Sequence, residues 1–247
     1  MVARQDVPKD PELKSALLTA RRGTAFFGRK LNELSDDELD APSLLPGWTR
    51  RHVIAHVGYN ARALARLMDW ANTGVETPMY PSRQARNEEI DHGAMLSPVE
   101  LRELYKQSAN HLDVAWRDTP QEAWGHEVKA AQSRTVPASE TVWWRTREVW
   151  IHAVDLDNGA SFGDMPADVL ERLLRDIIEA WHHRGDDQDL RLEILASGGV
   201  THLGDTAAVD PVVVTGSLAD ITAWAAGRSA RGVSSNRTDV PPAPRWI

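Results

Sequence analysis

The sequence predicts an α+β protein with an N-terminal four-helix bundle over residues 1–160 and a smaller C-terminal α/β domain over residues 161–247. Up to Asn158-Gly159, apolar residues recur at helical spacing in four long segments. Beyond that point a run of apolar and charged residues alternates with the two-residue period of a strand: Leu190, Arg191, Leu192, Glu193 and Ile194. A chain of 247 residues is long enough for two domains.

Four segments in the first part begin and end with the residues typical of helix termini. Asp10 before Pro11 is an N-cap followed by proline in the first turn, and Gly74 can end the second helix. Ser139 is expected to cap the fourth helix. The predicted helices run from Pro11 to about Leu34, from Thr49 to about Thr73, from Ser97-Pro98 to before Pro120, and from Glu140 to Asp157.

The segments between these helices carry weaker signals. Ser35 to Glu38 has the pattern of a capping box and predicts a short helical turn. Residues 75–96 are expected to be irregular, apart from a helical turn around Arg83–Ile90. Residues 120–138 are expected to be a connector with a short extended piece at His126–Lys129.

The second domain is expected to mix helices and strands. Pro166 opens a helix, and Pro211–Thr215 is a second strand after the one at residues 190–194. Another helix is predicted over Leu218–Ala226, while the proline-rich tail after Asp239 cannot be helical.

Composition excludes several classes of function. The net charge of −8 argues against nucleic-acid binding. The chain also has no run of about 18 apolar residues that would span a membrane. A cytoplasmic location is therefore the default expectation; a monomer is expected as well, although the sequence carries no signal for the oligomeric state. The chain contains no cysteine, which rules out disulfides, thiolate metal ligands and a protein thiol nucleophile. Any sulfur chemistry would need a small-molecule thiol.

The fourth predicted helix carries a polar strip between two apolar flanks. Glu148 and His152 are four residues apart and therefore share one face, and Asp155 follows three residues later. Because the flanks are apolar, the strip should point into the interior, where such groups must be paired or bound to a cation. The pattern fits a divalent-metal site and, equally, a satisfied buried Glu–His pair.

The second predicted helix offers a further ligand. His56 lies close to the centre of its apolar stripe, whereas His52 lies nearer to the solvent edge. We therefore expect His56, with Glu148 and His152, to form the three-ligand set of an open catalytic zinc site. His52-x-x-x-His56 is the lower-ranked alternative.

Several separated motifs, in this order, are similar to those of one known family. They are PGWTRRHVIAHVGYNARAL, VETPMYPSRQARNEEI, RTVPASETVWWRTREVWIHAVDL, VVVTGSLADITAWAAGRSA and VPPAPRW. Together the motifs resemble the mycothiol-dependent maleylpyruvate isomerases, over nearly the whole chain.

The resemblance implies a DinB-like four-helix bundle with a small α/β domain, and a divalent metal, zinc first, on His56, Glu148 and His152. It implies conversion of maleylpyruvate, a dicarboxylate keto acid, to fumarylpyruvate in the gentisate route of aromatic catabolism, with mycothiol as thiol cofactor. Arg86 and Arg228 match arginines that serve substrate or cofactor binding in the family.

The residues alone leave other interpretations open. Without the resemblance, a surface ion pair with Glu88 or Glu89 explains Arg86 better than a binding role does, and the favourable place of a cation at a helix C-terminus is enough to explain Arg228. Two other functions are consistent with the same metal site: a mycothiol S-transferase acting on electrophiles, and a non-catalytic zinc-binding module. Substrate turnover, and not metal content, would separate them.

Overall fold

The computed structural model describes residues 5–129 and 135–246 and has the mixed α+β composition expected. The chain forms two compact units, Met1–Ala160 and Ser161–Ile247. In its described part, the first unit contains five α-helices: α1 Pro11–Glu33, α2 Arg50–Thr73, α3 Arg83–Ala94, α4 Pro98–Asp118 and α5 Glu140–Asp155. Four of them are the long helices that the sequence predicts.

Most of the predicted helix termini are confirmed. The Asp10 side chain accepts a hydrogen bond from the Glu12 backbone N–H, and Gly74 ends α2 in the left-handed conformation, with φ of 74°. Ser97 and Glu100 form a reciprocal capping box at the start of α4. The prediction for Ser139 is wrong, because this residue is itself in helical conformation and its side chain makes no capping hydrogen bond.

The helix α2 is the centre of the first unit. It packs against α3, α4 and α5, while α1 packs against α5 and α4. This central place explains why α2 is buried on several sides, with Ile54, Val57 and Leu64 fully inaccessible to solvent. Side chains on α2 therefore reach interior positions facing several other helices.

The segments between the long helices are more regular than the sequence predicts. The helix α3 extends over 12 residues, where a single turn was expected, and the Ser82 hydroxyl caps it by accepting from the Ala85 backbone N–H. The expected turn near Glu38 is a short 3-10 helix, Asp37–Asp40. The extended piece at His126–Lys129 is a strand, β1 Glu127–Lys129, paired antiparallel with β2 Thr135–Pro137. Residues 130–134 of the predicted connector lie outside the described residues.

In its described part, the second unit contains two α-helices and one four-stranded sheet. In chain order its elements are α6 Ala167–Arg184, β3 Leu190–Ala196, β4 Gly199–Gly204, β5 Val212–Gly216, α7 Leu218–Ala225 and β6 Ser234–Ser235. The sheet order is β4-β3-β5-β6, with β3 and β5 parallel and both outer pairs antiparallel. The predicted helices and the strands β3 and β5 are present, and β4 and β6 are additional.

Within residues 5–129 and 135–246, no helix combines the length and the apolar character that crossing a bilayer requires.

Candidate metal centre

Two helices of the first unit, α2 and α5, bring three ligand-type side chains together. His56 points inward from α2 and is only 5% exposed, because it lies beside the apolar stripe that includes the buried Val53 and Val57. Glu148 and His152 come from successive turns of α5, as their four-residue spacing predicts. The His56 and His152 rings meet edge to face, with their centroids 4.8 Å apart.

The three side chains converge on one carboxylate oxygen. Glu148 Oε2 lies 2.8 Å from His56 Nε2 and 3.1 Å from His152 Nε2. One ligand atom from each residue lies within 4.8 Å of the others. Two imidazole nitrogens and a carboxylate oxygen form a donor set typical of zinc, so the residues present fit a divalent metal.

The cluster is closed on the histidine side and open at the carboxylate. The exposed fraction of the side chain is 6% for His56 and 12% for His152, but 20% for Glu148. A site with three protein ligands and one accessible side is the arrangement of catalytic zinc centres, in which water or a substrate takes the fourth position.

Asp155 supports His152 from behind. Its carboxylate Oδ2 lies 2.8 Å from His152 Nδ1, and the residue has no exposed surface. This carboxylate–imidazole contact fixes the ring orientation and leaves Nε2 facing Glu148, as is usual around metal-binding histidines. The burial of Asp155 and its position favour this orienting role over a solvent-exposed ion pair at the helix end.

The electrostatics of the cluster keep the carboxylate ionised. Burial alone would raise the pKa of Glu148, but hydrogen bonds from His152 and His56 outweigh it and hold this pKa well below the ordinary value. Burial likewise opposes charge on His152, yet contacts with Asp155 and Glu148 raise its pKa to about 9. For His56 burial prevails and lowers the pKa. An ionised carboxylate is the form that ligates cations.

His52 lies outside this cluster and has a structural role at the start of α2. Its ring Nδ1 accepts a hydrogen bond from the Thr49 backbone N–H at 3.2 Å and lies 2.8 Å from the Thr49 hydroxyl. His52 therefore completes the capping box at the start of α2. The expectation that His56 is the more interior of the two histidines is confirmed.

Arg86, on α3, lies beside the cluster. Its guanidinium Nη2 is 3.3 Å from His56 Nδ1, and Nη1 donates to the Asn87 side chain at 3.2 Å. In the described part of the chain Arg86 forms no ion pair with Glu88 or Glu89, and Glu88 instead accepts from Gln84. The surface-ion-pair interpretation of Arg86 is therefore wrong for these residues, and its cationic group faces the histidine pocket.

Arg228 belongs to the second unit. It follows α7, and its backbone N–H donates to the Ala223 carbonyl at 2.9 Å, which closes the helix end. Its side chain is half-buried, and Nη1 donates to the Ala226 carbonyl at 2.7 Å. The position fits a C-terminal cation interacting with the helix dipole, and its role in binding stays a prediction.

Arg145 is a residue of this region that the sequence analysis did not single out. It is 1% exposed, and burial lowers the pKa of its guanidinium. Its Nη1 donates to the Val57 carbonyl at 2.7 Å and to Asn60 Oδ1 at 3.0 Å. Its place three residues before Glu148 was the signal available, because that spacing brings it near the polar strip of α5.

Comparisons with known proteins give a consistent result. The family model described as the mycothiol maleylpyruvate isomerase N-terminal domain matches residues 20–157. A crystal structure of the mycothiol-dependent maleylpyruvate isomerase is 52% identical, with a TM-score of 0.90, over 95% of this chain and 97% of that chain. A structure of a histidine-to-alanine mutant of such an enzyme is 51% identical, with the same coverage and TM-score. No curated protein sequence gave a significant match.

Proposed function

Because this chain belongs to the mycothiol maleylpyruvate isomerase family, we propose that it converts maleylpyruvate to fumarylpyruvate with mycothiol as its thiol cofactor. The observation that carries the proposal is the match to the solved enzyme, which extends over nearly all of both chains. The isomerase function, the mycothiol cofactor and the dicarboxylate keto-acid substrate all follow from that relationship. The further assignments, a DinB-like fold for residues 1–160 and a cytoplasmic location, belong to the same proposal.

The metal assignment rests on this chain's own residues. His56, Glu148 and His152 would hold a divalent ion, and the His₂Glu donor set favours zinc among the available metals. Asp155 would keep the His152 ring in the orientation that presents Nε2 to the ion. The accessible side of Glu148 leaves room beside the centre for a ligand from solution.

The chemistry needs a thiol that the protein itself lacks, since the sequence has no cysteine. Mycothiol would supply a thiol able to add reversibly to the cis double bond, and a divalent metal held by His56, Glu148 and His152 would supply positive charge that favours the ionised thiol. Because the same thiol would leave again once the bond has rotated, the isomerisation would need no oxidant or reductant.

The arginines fit the charge of the substrate. Maleylpyruvate carries two carboxylates, and a guanidinium binds a carboxylate through two parallel hydrogen bonds. Arg86 faces the histidine pocket without an ion-pair partner in the described part of the chain, which supports a role in binding substrate. Arg228 is proposed as the second binding arginine from the family resemblance alone.

The direct test is the isomerisation of maleylpyruvate by the purified protein, followed by absorbance, with and without added mycothiol. We expect turnover only in the presence of the thiol. Turnover without any thiol would overturn the proposed cofactor.

If the protein binds zinc and mycothiol but does not isomerise maleylpyruvate, the same samples with an electrophile such as monobromobimane would reveal an S-transferase. Inactivity in both assays would indicate a non-catalytic zinc-binding module.

A further inference from the structure

Arg145 is a buried cation to which no carboxylate hydrogen-bonds in the part of the chain that the structure describes; Glu148 acts on its charge only through space. It is 1% exposed, and its Nη2 atom is buried without any hydrogen-bond partner there. Burying an unpaired charge costs free energy, and an apolar side chain of similar length would avoid that cost. Packing alone therefore does not account for an arginine at this position.

The contacts that Arg145 does make join the two helices of the metal centre. Arg145 precedes Glu148 by three residues on α5, and its Nη1 reaches the Val57 carbonyl at 2.7 Å and the Asn60 side chain at 3.0 Å, both on α2. Val57 directly follows His56 in the chain. The hydrogen bond thus runs from just before one ligand to just after another.

A second arginine joins the start of α2 to the segment that directly follows α5. Arg50, the first residue of α2, donates from Nε to the Leu156 carbonyl at 2.6 Å and from Nη2 to the Asp157 carbonyl at 2.7 Å. The two sets of contacts show that α2 and α5 run antiparallel, with His56, Glu148 and His152 between them. The ligand cluster is therefore bracketed by one arginine-to-backbone bridge on each side.

We propose that Arg145 is a positioning residue that sets the distance between His56 on α2 and Glu148 and His152 on α5. Helix packing through apolar side chains tolerates small shifts, whereas a hydrogen bond from a rigid guanidinium to a backbone carbonyl fixes one distance. A metal centre needs ligand positions held to a few tenths of an ångström. This inference rests on the proposed metal centre.

Cobalt binding tests the inference, because Co²⁺ replaces zinc and its visible absorption reports the ligand geometry. The proteins to compare are the wild type, Arg145→Met, Arg145→Lys and a control, Leu112→Ala. Leu112 is buried on α4 and takes no part in the hydrogen bonds of Arg145, so its truncation lowers stability without removing the bridge. Thermal melting of each metal-free protein measures the stability loss.

We expect Arg145→Met to bind Co²⁺ at least about tenfold more weakly and with shifted visible bands, as when a residue supporting the ligands is lost. Arg145→Lys should recover part of the wild-type spectrum, since an ammonium group can still donate to the Val57 carbonyl. Leu112→Ala should keep the wild-type spectrum and affinity even at an equal loss of melting temperature.

The results that would contradict the positioning role differ from those that would contradict the metal centre itself. A wild-type spectrum and affinity in Arg145→Met would overturn the positioning role while leaving the metal centre intact. If the wild type itself bound no stoichiometric metal, the proposed centre would fail, and this inference with it. Should Arg145→Met not fold, Asn60→Leu and Arg145→Lys decide: unchanged cobalt spectra in both variants would contradict the proposal.

Discussion

His152 is held from both sides by carboxylates, with its Nδ1 atom 2.8 Å from Asp155 and its Nε2 atom 3.1 Å from Glu148. Only Glu148 is open to solvent, since Asp155 is fully buried. The two carboxylates are therefore placed for different roles: Glu148 for ligating a metal, and Asp155 for orienting the ring.

The orienting role of Asp155 can be tested by changing its carboxylate to an amide. We expect Asp155→Asn to bind zinc about 10- to 100-fold more weakly, because the ring loses its anionic partner. Asp157→Asn is the matched control, since Asp157 is exposed two residues further along. Competition with a chromophoric chelator measures both affinities. Equal affinity in the two variants would remove Asp155 from the site.

The two histidines of α2 should respond differently to alanine substitution. His56→Ala should lose stoichiometric zinc, because only the two side chains of α5 remain. His52→Ala should keep the metal and lose about 1 kcal/mol of stability with its capping box. Elemental analysis and thermal unfolding measure the two effects. A full zinc complement in His56→Ala would disprove its assignment as a ligand.

Arg86 should affect substrate binding and not the metal. Arg86→Gln is expected to raise KM roughly 10- to 100-fold, in line with about 1.5–3 kcal/mol for a charged hydrogen bond, while zinc content stays unchanged. The control is Arg83→Gln, an exposed arginine at the start of the same helix. Steady-state kinetics at saturating mycothiol give the comparison. If both variants share one KM, Arg86 does not contact the substrate.

Gly23 should resist substitution although it lies inside a helix. Replacing a helical glycine by alanine usually stabilises by about 1 kcal/mol. A Cβ at Gly23, however, would lie 2.6 Å from Trp150 Nε1 and 2.7 Å from Val149 Cγ2, both on α5. We therefore expect Gly23→Ala to destabilise by about 1–3 kcal/mol. Gly28→Ala, whose nearest neighbours are Tyr105 atoms at 3.4 Å, should be neutral or stabilising in the same denaturant titration.

The ligand cluster could be predicted because helix periodicity carries its geometry. The four-residue step from Glu148 to His152 puts both on one face, and the apolar neighbours of His56 indicate that it points inward. Their convergence between α2 and α5 is a tertiary fact, which the inward direction of both side-chain sets in a predicted helix bundle suggested and the family resemblance supported.

Other features had no comparable signal in the sequence. The helix α3 has few apolar residues, and most residues of β4 are exposed. Neither segment therefore shows a clear periodic spacing of apolar residues in the sequence. In the sequence, Arg145 cannot be distinguished from the other charged residues of α5. Its role is visible only from its hydrogen bond to the Val57 carbonyl. Ser139 has the right residue type for a cap but the wrong backbone conformation.

Metal removal and return is the most direct test of the central claim that isomerisation takes place at the His56–Glu148–His152 centre. Chelator-treated protein, supplied with maleylpyruvate and mycothiol, would be titrated with zinc while the rate is followed by absorbance. We predict negligible turnover without metal and a linear recovery that levels off at about one equivalent, as expected for a single site with three protein ligands. Full turnover by the metal-free protein would contradict the account.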